Sequence, residues 1–219
     1  ASVLGTLAHT SRGRTAELNA GRRDYLRYLD GVAAQTEEAA RTQHVRQHCR
    51  HPDPVLLWTL AGGGRMWERT PSDPDFCHVR LGLGPVPPAA ELVVAVADPV
   101  PEADPVTTAA LDGLVASRAV VAGLPVTVDI AGHIGFAGEP AAVAALVRAI
   151  VCQLAMWHGP GAVCVTGPAG PQWDWLKWLP HHVPRPGAGG SARTVVIADG
   201  VGPRPNGPGI AVLDLTGHA

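Results

Sequence analysis

HIGFAGEPAAVAALVRAIVCQLAMW, residues 133–157, reads as a short strand, a glycine turn and a long helix. Pro140 stands where a helix tolerates proline, in its first turn. The Ala-rich run that follows carries the helix to Trp157. Working outward, short apolar runs at 125–129, 162–166 (AVCVT), 194–198 (TVVIA) and 210–215 (IAVLDL) read as strands. Residues 173–179 read as a short aromatic helix, and 184–191 as a loop. Strands alternating with helices predict an α/β fold with a largely parallel sheet and flanking helices.

The turn after residue 134 is where such a fold holds a phosphate. A phosphate-binding loop, GxxxxGK[ST], uses glycines to expose backbone N–H groups, a Lys to reach the terminal phosphates and a Ser/Thr to bind magnesium. Here Gly135 and Gly138 are present, while the Lys and the Ser/Thr are not. Glu139 instead places a carboxylate at the helix N-terminus, where the dipole favours an anion. The one Lys of the chain, Lys177, follows no glycine-rich loop. Further on, Val195–Asp199 is an apolar strand ending in Asp, the form of a magnesium-holding Walker B element. Gly200 stands where a catalytic carboxylate usually follows. A core strand whose last Asp caps a turn has the same sequence. Together the two fragments predict a P-loop NTPase-like fold that has lost its catalytic groups. Gly135, Gly138, Glu139 and Asp199 are its degenerate nucleotide-binding positions, and no catalytic or metal-binding residue is assigned.

The first part of the chain has another character. Residues 11–50 carry eight Arg and five acids and contain no Pro. Leu18, Tyr25, Leu29, Val32 and Thr36 or Ala40 form one narrow stripe, predicting a helix over 14–50 that Pro52 and Pro54 end. Gly21 and Gly31 weaken it by about 1 kcal/mol each relative to Ala. Residues 54–60 read as a short helix, 65–69 as a turn, 76–83 and 92–97 as strands, and 107–121 as a helix. The expected division is a helical stalk and linker over 1–60, followed by the α/β domain over 61–219.

Composition narrows the function. The 219 residues carry a net charge of −2, without the basic excess of a nucleic-acid binder. Gly and Pro make about a fifth of the chain, below the range of low-complexity sequence. No uninterrupted apolar run approaches the roughly 18–20 residues of a membrane span. The four Cys lie far apart, which fits a reducing compartment, and Cys152 and Cys164 read as buried thiols. His44, His48, Cys49 and His51 are donors at the end of a helix, and read as a solvated helix end rather than a zinc site. None of the five Ser lies in a GxSxG elbow. Trp173, Trp175 and Trp178 surround Asp174 and Lys177, and read as packing rather than as a binding surface.

Several motifs in a fixed order carry a resemblance: RRDYLRYLD at 22–30, HPDPVLLW at 51–58, RMWERTPSDPDFCHVRLGLG at 65–84, Gly123–Pro125 and WDWLKWLPH at 173–181. Over about residues 14–183 the chain resembles the cytosolic segment that follows the membrane helices in the FtsK/SpoIIIE-type, EccC-type ATPases of type VII (ESX) secretion systems. The resemblance implies a stalk and a first, degenerate ATPase-like domain at the cytoplasmic face of the cell membrane, the segment itself being soluble. Hydrolysis would reside in later domains. The expected role is a non-catalytic coupling module between membrane helices and downstream ATPase domains. Its partners would be those domains, membrane components of the secretion complex and, in the assembly, further copies, with no nucleic acid. The alternative is a regulatory domain that binds ATP and Mg²⁺ weakly, or a weak ATPase whose missing cation comes from a neighbour or from Arg148, Arg193 or Arg204.

Overall fold

The computed structural model of this chain describes residues 3–94, 104–187, 190–200 and 202–216, with side chains from residue 16. In chain order the elements are α1 (Val3–Arg50), a 3-10 turn (Pro54–Leu56), α2 (Leu57–Leu60), β1 (His78–Val86), α3 (Pro105–Ser117), β2 (Val121–Asp129), β3 (Gly132–Gly135), α4 (Pro140–Trp157), β4 (Val163–Thr166), a second 3-10 turn (Asp174–Trp178), β5 (Arg193–Ala198) and β6 (Ile210–Asp214). They group into two compact units, neither continuous in sequence. One comprises Ala1–Gln47 and Gly84–Leu124, the other His48–Leu83 and Pro125–Ala219.

In the first unit, α1 begins at Val3 rather than at residue 14 and runs through both Gly21 and Gly31. Its stripe residues Tyr25, Leu29 and Val32 line one cavity with Leu111, Leu114 and Val115 of α3. Polar links complete the packing. The Arg22 guanidinium pairs with Asp104, with Nε donating to Oδ2 at 2.9 Å. Asp104 is also the N-cap of α3, accepting the Thr107 amide at 3.2 Å. Arg118 meets Glu37 at 2.8 Å. The Gln43 amide donates to the Pro87 carbonyl and accepts from the Ala89 amide.

The second unit holds the parallel sheet, in the order β3-β6-β5-β4, every pair parallel. The chain crosses from one edge strand, β3, through α4 to the opposite edge, β4, and then steps back through β5 to β6. Helix α4 lays Val147, Ile150, Val151 and Leu154 on Val163, Val165, Val195, Ile197, Ala211 and Leu213. Each such apolar side chain contributes about 1.5–3 kcal/mol by leaving water. That burial explains why the strands read as continuous apolar runs.

Four local expectations change. Residues 125–129 belong to β2, which pairs with β1 in a separate two-stranded ladder. The helix expected over 107–121 ends at Ser117, because Val121 already begins β2. Residues 92–94 form no strand, and 95–97 lie outside the described residues. Cys77 and Cys164 are buried, whereas Cys152 is exposed on the outer side of α4. By length and composition α4 could cross a membrane, with mean hydropathy 1.6. Arg148 and Gln153 interrupt its apolar run, and its buried face is the core contact just described.

Candidate functional site

The strand register collects the predicted positions at one edge of the sheet. Gly135, the last residue of β3, pairs with Asp214 of β6, and Asp214 pairs with Ala198 of β5. Asp199 follows directly. The turn into α4, Asp214 and Asp199 therefore stand at the carboxyl ends of three neighbouring strands, where open α/β sheets bind ligands.

The turn is closed from inside. The Phe136 amide donates to the Asp214 carbonyl at 2.8 Å, and Gly138 adopts φ +147°. Glu139 is the N-cap of α4. Its carboxylate accepts the amides of Ala141 and Ala142 at 3.0 and 2.8 Å. Those two bonds hold its carboxyl below the usual range. Pro140 has no N–H to offer. The amides that a phosphate-binding loop presents to its ligand are thus occupied by a carboxylate, and no Lys stands near in the sequence to offset that charge.

Asp199 is half-buried and accepts the Trp173 indole N–H at 2.8 Å on Oδ2, together with the Gln172 amide. It tethers the loop after β4 rather than capping its own turn. Asp214, which sequence reasoning did not single out, is the more heavily bonded acid. Arg204 holds it bidentately at 2.7 and 2.9 Å, the Thr216 amide donates to it at 3.0 Å, and His133 Nε2 lies 3.0 Å away. These partners hold its carboxyl far below the usual range, Arg204 foremost. The signal was available, since IAVLD ends in Asp just as VVIAD does.

The three candidate cations have other work. Arg204 is locked on Asp214, and Arg148 lies 5.9 Å over the Trp175 ring. Arg193 is the first residue of β5, at the opposite end from Asp199 and about 16–20 Å away by strand rise. The tryptophans divide: Trp173 is buried, while Trp178 is 80% exposed. Among the described residues no three His, Cys, Asp or Glu side chains gather as a metal site. His51 is buried and held neutral, its pKa lowered to about 4 by burial.

The most distinctive string, residues 65–84, forms a joint rather than a site. Arg65 Nη1 donates to the Cys49 carbonyl at 2.9 Å, and Arg69 Nη2 to the Arg50 carbonyl at 2.6 Å. Two cations therefore cap the carbonyl end of α1, where the helix dipole favours them. Both guanidinium groups lie 4.8 Å from the Trp157 ring at the end of α4. Asp75 bridges Arg50 at 2.7 Å and Arg69 at 3.1 Å. The Arg50 hydrogen bond leads in lowering the Asp75 carboxyl to about 2. Trp67 takes φ +63°, which lets its amide reach the Met156 carbonyl at 2.9 Å and its indole the Ala155 carbonyl at 3.1 Å. His158 Nε2 accepts the Cys77 amide at 3.0 Å, leaving Nδ1 to donate to the Leu154 carbonyl.

Fold and edge together define a P-loop NTPase-like α/β domain in which the Glu139 carboxylate caps α4. Comparison with known proteins gives the family. The chain is 43% identical to the ESX-4 secretion system protein EccC4 of Mycobacterium tuberculosis over 187 residues, covering 82% of this chain and 15% of that protein. It is 37% identical to the ESX secretion system protein EccC of Thermomonospora curvata, covering 83% and 14%. With the ESX-1 secretion system protein EccCa1 of Mycobacterium tuberculosis it shares 32% identity, covering 93% and 31%. No family model matches the chain. The chain belongs with the EccC-type proteins of ESX secretion systems, of whose length it spans between about one seventh and one third.

Proposed function

We propose that this segment is a non-catalytic coupling and docking module of a type VII secretion motor. It works at the cytoplasmic face of the cell membrane, with residues 1–60 as the stalk and linker and 61–219 as the ATPase-like domain. It links membrane helices to downstream ATPase domains and docks on membrane components of the complex. One observation carries the reading: the Glu139 carboxylate fills the anion position at the start of α4. A domain kept for hydrolysis would keep that position open for phosphate.

The test is calorimetric titration of the chain with Mg²⁺ and a non-hydrolysable ATP analogue to millimolar concentration. Absence of saturable heat is the expected result. One-to-one binding that Asp199→Ala abolishes would overturn the reading and favour a nucleotide sensor. In cells, replacing this segment of an EccC-type protein with an unrelated linker should stop secretion and complex assembly. Normal secretion after that replacement would refute coupling.

A further inference from the structure

A cleft of about 490 Å³ opens at the carboxyl ends of β4 and β5. Pro168, Pro184, Pro186, Pro203 and Pro205 line it, with Thr166 at the end of β4. Proline walls have a fixed φ and little conformational entropy left to lose on binding. Arg204 adds a second constraint, donating to the carbonyls of Gly202 and Gly200 at 2.8 and 3.0 Å while it holds Asp214. The cleft is therefore preformed.

Its charge is asymmetric. Arg204 is neutralised by Asp214 and has every guanidinium nitrogen engaged. Asp199, also in the lining, is bonded through Oδ2 alone, and both donors, Trp173 and Gln172, are neutral. Among the described residues its Oδ1 carries no hydrogen bond and the carboxylate has no ion-pair partner. An anion entering here meets that charge. A guanidinium is complementary to it, and its weak hydration lets it leave water for a proline-walled cleft more readily than an ammonium. The methylene stem of the same side chain suits the proline walls.

We propose that this cleft receives an arginine side chain of a neighbouring polypeptide, with Asp199 as its carboxylate partner. The inference extends the docking reading to one place on the domain. The probe is the peptide acetyl-Gly-Arg-Gly-amide, titrated into the isotope-labelled chain. The reporter is the Trp173 indole N–H, which is bonded to Asp199. A saturable shift of that signal is expected, with affinity about tenfold lower in Asp199→Asn, since a charge-assisted hydrogen bond is about twice as strong as a neutral one. The Asn side chain still offers an oxygen to Trp173, so the fold and the reporter survive. Gln172→Glu, a change at an exposed residue, adds a second carboxylate beside the first and should strengthen binding several-fold. No saturable shift, or equal affinity in wild type and both variants, would overturn the proposal. That result would leave the coupling reading to the nucleotide and secretion tests above.

Discussion

Lowering the pH from 7 to 5 should cost the second unit about 4 kcal/mol through His51 and His158. His158 is fully buried between a donor and an acceptor: the Cys77 amide points at Nε2, and the Leu154 carbonyl takes the Nδ1 proton. A proton on Nε2 would face another N–H. Burial leads in lowering its pKa to about 4, with the Arg69 charge adding to it. His51 is 5% exposed and lowered to about 4 by the same two causes, against the opposing charge of Asp75. His181 shifts in the same direction through burial. All three are depressed below an unfolded value of about 6.5. The unfolded chain therefore binds protons first as pH falls. The stabilisation is complete above about pH 6.5 and is lost on the way down to about pH 4. At pH 5 each of the two rings with a defined value has forfeited about 2 kcal/mol. Asp75, at about 2, loses its contribution as the pH falls from its ordinary value of about 4 to about 2, mostly below the pH 7–5 window. All six tryptophans, residues 58, 67, 157, 173, 175 and 178, belong to the second unit. Urea unfolding followed by tryptophan fluorescence at pH 7, 6 and 5, at fixed ionic strength, thus reports on that unit. Against a typical domain stability of about 5–15 kcal/mol the midpoint should fall steeply. A flat profile between pH 7 and 5, or a loss confined to pH below 4, would refute the assignment of these rings as buried and neutral.

Asp75→Asn removes the charge that compensates buried Arg69 and anchors Arg50, and should destabilise the second unit by about 3–5 kcal/mol in the same fluorescence assay; a loss below about 1 kcal/mol would mean that the joint is solvated. A thiol reagent should label Cys49 rapidly in the native chain, exposed Cys152 more slowly because burial raises its thiol pKa, and all four in denaturant; rapid labelling of Cys77 in the native state would contradict its burial. Trp178→Ser should move the urea midpoint by no more than about 0.5 kcal/mol because the ring is exposed, whereas Trp173→Phe should cost more, since it strips a donor from Asp199 and thins the core.

The parallel sheet was legible because β4, β5 and β6 are buried along nearly their whole length and α4 has a clear apolar face. The bounds of α4 were read without error from Pro140 and the run to Trp157. The ladder of β1 and β2 was less legible. Val121–Leu124 are apolar in the sequence, and only pairing with β1 turns a plausible helix end into a strand. The turn glycines, Glu139 and Asp199 were found because motifs mark them. The roles of Arg65, Arg69 and Asp75 were not legible. Three exposed-looking charges become a network around buried Arg69 only when α1 and α4 end at the same place, and no local pattern announces a long-range meeting. Asp214 was not legible for a simpler reason: IAVLD and VVIAD have the same form, and nothing local says which Asp carries the bonds.

The two ends of α4 then make one argument about what the segment has become. At its amino end, Glu139 supplies internally the anion that a nucleotide would bring. At its carboxyl end, Arg65 and Arg69 clasp Trp157 while capping the last carbonyls of α1. An 18-residue helix, about 27 Å long, thus runs from a carboxylate-capped turn to the arginine contacts at Trp157. In a hydrolysing P-loop domain the amino end is the variable element, because phosphate charge comes and goes there. On the reading proposed above, the Glu139 carboxylate takes that place and the turn does not respond to nucleotide. The helix thus carries a carboxylate cap at one end and two arginine contacts at the other. Glu139→Ala tests the amino end directly. If the carboxylate only fills a vacated phosphate site, Glu139→Ala should lower the thermal midpoint of the second unit and, by reopening two amides, let inorganic phosphate raise it again. A midpoint unmoved by the substitution would mean that the cap is not what holds this end of the helix.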